Sequence, residues 1–198
     1  MMGVIYGSLG NESASMDCYL EVLECSKRHG ISSVLALAYN NIGSRYQEIQ
    51  QHQKAIGYFE KSADELEKVT DTENENFQIR YLITHMNLMK SYGELDRLDD
   101  ACEELHKLEK CSKSMINEMY RYSYLTLKSR LYWCIGKKEY VYEHLDELIK
   151  GGIDDSNAAD YIEDMSDLCG LLKDMREFGK WKKVILAFEQ HAKKQHSI

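Results

Sequence analysis

The sequence predicts an all-α protein, a right-handed superhelical solenoid of about five antiparallel helix hairpins. Proline is absent from the 198 residues and only 12 are glycine, which favours helices over the turns of sandwiches and barrels. One short pattern also returns five times with constant internal spacing, at steps of 40, 46, 40 and 40 residues. Its copies are Gly3-Tyr6-Ser15-Tyr19, Gly43-Tyr46-Ala55-Phe59, Met89-Tyr92-Ala101-Leu105, Ser129-Tyr132-Val141-Leu145 and Cys169-Leu172-Trp181-Ile185. A period of about 40 residues is typical of helix-hairpin arrays.

The copies divide the chain into five repeats within one predicted domain, 1–198. The first has about nine residues for its first helix. The second has helices over 31–49 and 52–69, joined by Gln50 and Gln51. Six extra residues before the third repeat fall in the polar segment 70–76, and Gly151-Gly152 marks the last joint. The repeats span roughly 1–29, 31–69, 75–112, 114–150 and 155–195.

The small residues of the pattern predict where two helices of a hairpin approach closely. Gly43 and Ala55 remove side-chain bulk there, and Tyr46 and Phe59 fill the space beside them. A lone hairpin cannot cover its outer apolar side, so the next hairpin must cover it. We therefore expect the helix that begins at Ile31 to cover the apolar residues Leu20, Val22 and Leu23.

The composition argues against several classes of function. The 33 acidic and 25 basic residues give a net charge of −8, which would repel nucleic acid and anionic membranes. The six cysteines form no CxxC pair, and the seven histidines form no HExxH motif, so no metal site and no cofactor are expected. Neither a phosphate loop, a nucleophile elbow, a membrane span nor a signal peptide is evident. The sequence predicts a cytoplasmic protein that is not an enzyme.

The repeat resembles the tetratricopeptide repeat (TPR), most clearly in Asn41-Ile42-Gly43-Ser44-Arg45-Tyr46 and Ala55-Ile56-Gly57-Tyr58-Phe59. The period is longer than the usual 34 residues, and the proline that often ends a repeat is missing. Longer repeats of this kind are similar to the sensory regions of bacterial regulators that end in a GGDEF-type diguanylate cyclase domain. The segment from Tyr161 to Phe178 resembles that subgroup, although no GGDEF motif occurs. The resemblance implies a sensing region, a piece of a longer protein whose output domain lies elsewhere.

The first helix of each repeat should line the inner, concave surface of such a stack. Lys90 and Arg130 occupy equivalent positions there, close to amides that can bridge a peptide backbone, which predicts a cradle for an extended peptide or a carboxylate. The predicted ligand-binding residues are Asn40, Asn41, Ser44, Gln47, Met86, Asn87, Lys90, Thr126, Arg130 and Trp133.

Two alternatives to this cradle stay open. Lys90 and Arg130 could instead form surface ion pairs with Glu94 or Glu48, which contribute little. Trp133 is either a platform for a ligand or part of the seam between the third and fourth repeats.

Two functions compete at this level. The first is a binding module for a protein or peptide, which passes its state to a downstream domain. The second is self-association into a homodimer through exposed terminal helices. An enzyme of unrecognised type is the third and least supported reading.

Overall fold

The computed structural model describes residues 2–110, 118–154, 161–177, 179–182, 184 and 186 of the chain. Every regular element in these ranges is an α-helix, and nine helices have both ends defined there. They are α1 (Met2–Ser8), α2 (Glu12–His29), α3 (Ser32–Glu48), α4 (His52–Leu66), α5 (Glu75–Glu94), α6 (Leu98–Lys110), α7 (Glu118–Cys134), α8 (Lys138–Asp154) and α9 (Tyr161–Asp174). The prediction of an all-α protein is confirmed.

The chain divides into two compact units, Met1–Met115 and Ile116–Ile198. The first contains α1 to α6, in which α1 packs on α2, α3 on α4 and α5 on α6, and neighbouring hairpins pack through α2 with α3 and α4 with α5. The second contains α7, α8 and α9, which contact one another. The prediction of one domain over 1–198 stays a prediction, and the expected repeat starts at 114 and 155 lie outside the described residues.

The turn inside each hairpin is the same in all five repeats. One residue there has a positive φ, and the N–H of the next residue donates to a carbonyl five positions back, as in Gln51 to Tyr46 (2.8 Å) and Arg97 to Tyr92 (2.9 Å). This is the hydrogen bond of a Schellman motif, which ends a helix. In these five turns the positive-φ residues are Gly10, Gln50, Asp96, Gly136 and Arg176, spaced 40, 46, 40 and 40 residues apart. The backbone therefore repeats with the phase of the sequence pattern, the weak fifth copy included.

The pattern glycines lie directly against aromatic rings. A Cβ atom on Gly43 would meet Phe59 Cε1 at 2.6 Å, and one on Gly3 would meet Tyr19 Cε1 at 2.6 Å. Phe59 and Ala55 are fully buried. The predicted close approach of helices at Gly43 is confirmed, because the Phe59 ring of α4 occupies the space that a Cβ atom on Gly43 would need.

The described residues of each compact unit include a cluster of buried apolar side chains. Buried residues of α2 and α3, among them Leu23, Leu35 and Ile42, make the first. The second joins α7, α8 and α9 through buried residues that include Val141, Leu145, Leu168, Leu171 and Leu172. Each such side chain contributes about 1.5–3 kcal/mol before the loss of entropy is counted.

Part of the expected packing of α2 is wrong. Leu23 is buried as expected, but Leu20 and Val22 are each 41 % exposed. Leu23 and Tyr19 are four residues apart and form the stripe that faces α3, whereas Leu20 and Val22 lie on either side of it. The helix bounds also differ, since α4 ends at Leu66 and not at Val69.

Candidate functional site

Seven of the ten predicted binding residues lie in the first compact unit, on two helices that contact each other. Helix α3 carries Asn40, Asn41, Ser44 and Gln47, and helix α5 carries Met86, Asn87 and Lys90. Both are the first helices of their repeats, and the offset of 46 residues makes Asn41 and Asn87 equivalent. The seven residues therefore lie on adjoining helices, and their role in binding stays a prediction.

Side-chain amides join α3 to α5. Gln47 Nε2 donates to the Asn87 carbonyl at 3.1 Å and lies 2.7 Å from Ser91 Oγ, and Asn87 Nδ2 donates to Asn40 Oδ1 at 3.2 Å. We call Asn40, Gln47, Asn87 and Ser91 the amide seam. Each of the three amides therefore has a hydrogen bond to the facing helix. A backbone carbonyl and a buried hydroxyl are satisfied in this way.

The seam leaves half of each amide open. Asn40 Nδ2, Gln47 Oε1 and Asn87 Oδ1 have no hydrogen-bond partner among the described residues, and neither does the side chain of Asn41. All four residues are half-buried. Ser44 is engaged locally, since its hydroxyl donates to the Asn40 carbonyl at 3.1 Å. The α3–α5 face therefore offers donors and acceptors already held in place by the seam, which is what a peptide backbone requires.

Two of the predicted residues are not accessible. Met86 is 9 % exposed and Thr126 is 1 % exposed. The expectation that they line an open surface is wrong. Met86 and Thr126 occupy the repeat position of Asn40, and their side chains are buried there. Among the described residues, Thr126 Oγ1 has no hydrogen-bond partner.

The second compact unit contains the other three predicted residues, Thr126, Arg130 and Trp133, all on α7. Arg130 is half-buried. Trp133 packs against the core of that unit, with the Tyr142 ring edge-on at 6.2 Å and Lys138 Nζ 4.6 Å above the indole ring. These contacts give the indole a packing role within its own hairpin, which neither sequence-based alternative foresaw.

The cation pair of the predicted cradle is divided between the two compact units, Lys90 in the first and Arg130 in the second. A shared ligand for both stays a prediction. Glu48, one of the proposed ion-pair partners, forms a salt bridge with Arg45, whose guanidinium also lies 3.5 Å from Glu12.

A buried hydrogen-bonded pair between α5 and α6 was missed by the sequence analysis. His85 Nδ1 lies 2.5 Å from Glu104 Oε2, both side chains are at least 93 % buried, and Lys107 Nζ reaches Glu104 Oε1 at 2.8 Å. Burial alone raises the pKa of the Glu104 carboxyl, but the hydrogen bonds and charges of His85 and Lys107 bring it below its ordinary value. A sequence separation of 19 residues matches no motif. The only available signal was that His85 and Glu104 occupy the repeat positions of Tyr39 and Tyr58.

This pair lies at the base of a polar cleft of about 320 Å³ between α4, α5 and α6. Tyr92 closes one side, where its hydroxyl donates to Glu60 Oε1 at 2.9 Å and Arg97 stacks 4.6 Å from its ring. Burial and the bond to Glu60 raise the pKa of the Tyr92 phenol. Since every one of these groups is engaged with a neighbour, the arrangement favours a structural role that ties the two helices of the third repeat together.

The described residues were also compared with the requirements of a metal site and of a membrane span. In the described part of the chain, no group of three or more His, Cys, Asp or Glu side chains is arranged to hold a metal ion. No helix in that part combines the length and apolar character needed to cross a bilayer.

Two crystal structures are similar to this chain in fold. They are described as nearly identical TPR-like repeats of a putative kinesin light chain from Podosopora anserina. One has a TM-score of 0.63 at 13 % identity and covers 98 % of this chain and 93 % of its own. The other, a variant of the same protein, has a TM-score of 0.65 at 13 % identity and covers 100 % and 94 %.

No protein-family profile matches the chain, and no curated protein matches it. At this identity the structural likeness establishes the fold alone. The chain has an all-α, TPR-like repeat fold.

Proposed function

We propose that this protein is a non-enzymatic binding module that holds an extended peptide segment of a partner protein on the α3–α5 face. The open donors and acceptors on the amides of Asn40, Asn41, Gln47 and Asn87 carry this proposal. Amides that donate and accept at fixed positions can pair with a peptide backbone regardless of its side chains. Because the seam already fixes three of these side chains, binding would cost little conformational entropy.

A displayed peptide library with the full chain as bait tests the proposal. We expect enriched peptides to bind the wild type. Asn41→Leu should weaken that binding at least fivefold, because it removes an amide that would pair with the peptide. The fold should not change, because no hydrogen bond of the Asn41 side chain within the described residues is lost. Gln53→Leu is the matched control, because Gln53 is an exposed amide on α4, away from this face. Failure to enrich any peptide, or equal losses in both variants, would contradict the proposal.

The reach of the site is a finer part of the proposal. Lys90 and Arg130 are each proposed to hold a carboxylate of a bound peptide. Their equivalent positions on the first helices of two repeats support this. Lys90→Glu and Arg130→Glu should each weaken the binding of acidic peptides. A variant that binds such peptides as tightly as the wild type would remove its residue from the site.

We further propose that the module regulates an output domain in a bacterial cytoplasmic regulator, such as a diguanylate cyclase. The support is the resemblance of the segment 161–178 and the stretched repeat period. Reading the coding sequence downstream of residue 198 in the source genome tests it directly. An immediate stop codon there would contradict it.

Self-association is the second candidate function, and one observation favours it. Along α1 and the turn after it, Met2 is 55 % exposed, Ile5 51 % and Leu9 75 %. Apolar side chains in such a row are typical of contact surfaces. Sedimentation should then show a homodimer that Ile5→Glu dissociates. A monomer at all accessible concentrations would remove this candidate.

A further inference from the structure

A second surface, formed by residues of α3 and α4 outside the amide seam, has the chemistry of a binding site. Helix α3 contacts both α2 and α4, whereas α2 and α4 do not contact each other in the described residues, so a furrow lies between them. Its floor is formed by Tyr39 and Tyr46 of α3 and Tyr58 of α4, which are half-buried against the core of α2 and α3. We call these three residues, with Lys27, Lys54 and Lys61, the tyrosine furrow.

The three rings form one connected group. Tyr46 and Tyr58 stack with their centroids 5.4 Å apart and their planes 13° apart, and Tyr39 lies 6.4 Å from Tyr58. Among the described residues, none of the three phenol hydroxyls has a hydrogen-bond partner. Burial and the nearby phenols of Tyr46 and Tyr39 raise the pKa of Tyr58, so its hydroxyl remains a donor at neutral pH.

Cations flank the rings. Lys54 Nζ lies 5.4 Å from the Tyr46 centroid and Lys61 Nζ 5.0 Å from the Tyr58 centroid, on exposed side chains. Neither ammonium group has a carboxylate partner in the described residues. Lys27 of α2 is close enough to Tyr58 to act on the pKa of its phenol, which it lowers. The Lys27 ammonium group pairs with Glu24 at 3.4 Å.

The local charge is opposite to that of the protein as a whole. The chain carries a net charge of −8, yet beside the rings lie the ammonium groups of Lys27, Lys54, Lys61 and Lys68. The carboxylates there are Glu24, paired with Lys27, and Glu65, paired with Lys68. Glu60, next to Lys61 in sequence, turns to the other side of α4, where it accepts the Tyr92 hydroxyl. A short anionic segment would be attracted here, while a long polyanion would meet the acidic remainder of the protein.

We infer that the tyrosine furrow binds a short acidic segment of a partner protein, with carboxylates on the lysines and phenol hydroxyls and an apolar part of the segment on the rings. Lys54 and Lys61 are seven residues apart on α4, which is a rise of about 10 Å along a helix. Three residues of extended chain span about the same length. Acidic side chains three positions apart in the partner would therefore reach both lysines. Charge-assisted bonds of this kind are stronger than those between neutral groups.

Fluorescence anisotropy with a fluorescein-labelled hexaglutamate peptide and the full chain tests this inference. We expect saturable binding that the double variant Lys54→Gln, Lys61→Gln weakens at least tenfold. Tyr58→Phe should weaken it about threefold, since it removes a donor and keeps the ring. The matched control is Lys137→Gln, Lys173→Gln, which removes two exposed ammonium groups that also lie over single rings, of Tyr132 and Trp181. It should change the affinity less than twofold.

Four results would overturn the inference. They are an absence of saturable binding, an equal loss in the control, equally tight binding of a labelled hexathymidylate, and self-association in sedimentation that only the Lys54→Gln, Lys61→Gln variant abolishes. The third would assign the furrow to nucleic acid and the fourth to a second copy. Asn41→Leu should leave hexaglutamate binding unchanged, so failure of this inference and failure of the proposed peptide site are distinguishable.

Discussion

Gly43 shows how one missing side chain sets the distance between two helices. The Phe59 ring that would clash with a Cβ there is fully buried, and its Cδ1, Cε1 and Cζ atoms all lie within 3.1 Å of the Cβ position. The ring therefore cannot withdraw without moving its own neighbours. Gly57 on the partner helix has nothing within 4 Å of its Cβ position.

This contrast gives a pair of predictions with opposite signs. We expect Gly43→Ala to lower the free energy of unfolding by about 1–3 kcal/mol through overpacking, and Gly43→Leu to lower it further. Gly57→Ala should raise it by about 0.5–1 kcal/mol, because it only restricts the unfolded chain. Urea denaturation of the variants measures both. Equal stability of Gly43→Ala and the wild type would disprove the close approach.

Glu104 should make stability depend on pH. Its pKa in the folded protein lies below the ordinary value of 4.5, so its pairing with His85 and Lys107 stabilises the fold above that value. The contribution is lost as the pH falls through the folded-state pKa. We expect Glu104→Gln to reduce the free energy of unfolding at pH 6 and to reduce it less at pH 3.5. An equal loss of unfolding free energy at both pH values would show that the charge of Glu104 does not contribute to stability.

At the scale of elements, the hairpin turns differ in conformational free energy from one repeat to another. Gln50, Asp96 and Arg176 have φ near +57° to +59°, a conformation that costs L-residues roughly 1–2 kcal/mol, whereas Gly10 and Gly136 adopt it freely. The Cβ position of Gly136 has nothing within 4 Å, so a substitution there acts through the backbone alone.

The turns allow a test that is independent of packing. Gly136→Ala should lower the melting temperature, with a cost of about 1 kcal/mol, and Gln50→Gly should raise the free energy of unfolding by about 0.5 kcal/mol. Thermal denaturation followed by circular dichroism measures both changes. Shifts of the same sign would show that the positive φ does not determine the energy of the turn.

The sequence predicted helices far better than it predicted side-chain partners. The sequence pattern placed the turn of the second hairpin at Gln50 and Gln51, because the small and aromatic residues carry the phase of the hairpins. It also placed Asn40 and Asn87 on adjoining helices. How closely those helices approach depends on the side chains between them, so the seam itself was not predictable. The His85–Glu104 pair was missed for the same reason, since two residues on different helices meet only once the packing is known.

At the scale of the molecule, stability should be distributed repeat by repeat. In the described residues of the first compact unit, packing is between helices of one hairpin or of adjoining hairpins. An array of this kind approximates a sum of repeat stabilities and nearest-neighbour terms, and it can open locally.

Hydrogen exchange can therefore locate the effect of a single variant. In Gly43→Ala we expect amide exchange to accelerate most in α3 and α4, less in α2 and α5, and least in α8. Mass spectrometry of peptides from each helix gives this profile, with Gly57→Ala as the control that should accelerate none of them. Uniform acceleration from α2 to α8 would show instead that the chain unfolds as one cooperative unit.

The connections between helices differ in how much length they accept. The turn inside every hairpin that is bounded by two defined helices has three residues, whereas the link from α2 to α3 has two residues and the link from α4 to α5 has eight. In the hairpins with two defined helices the turn length is therefore constant, whereas the length of the link between hairpins varies. The segment 67–74 is consequently a suitable insertion site, where an epitope or a reporter domain could be added without changing the packing of the repeats.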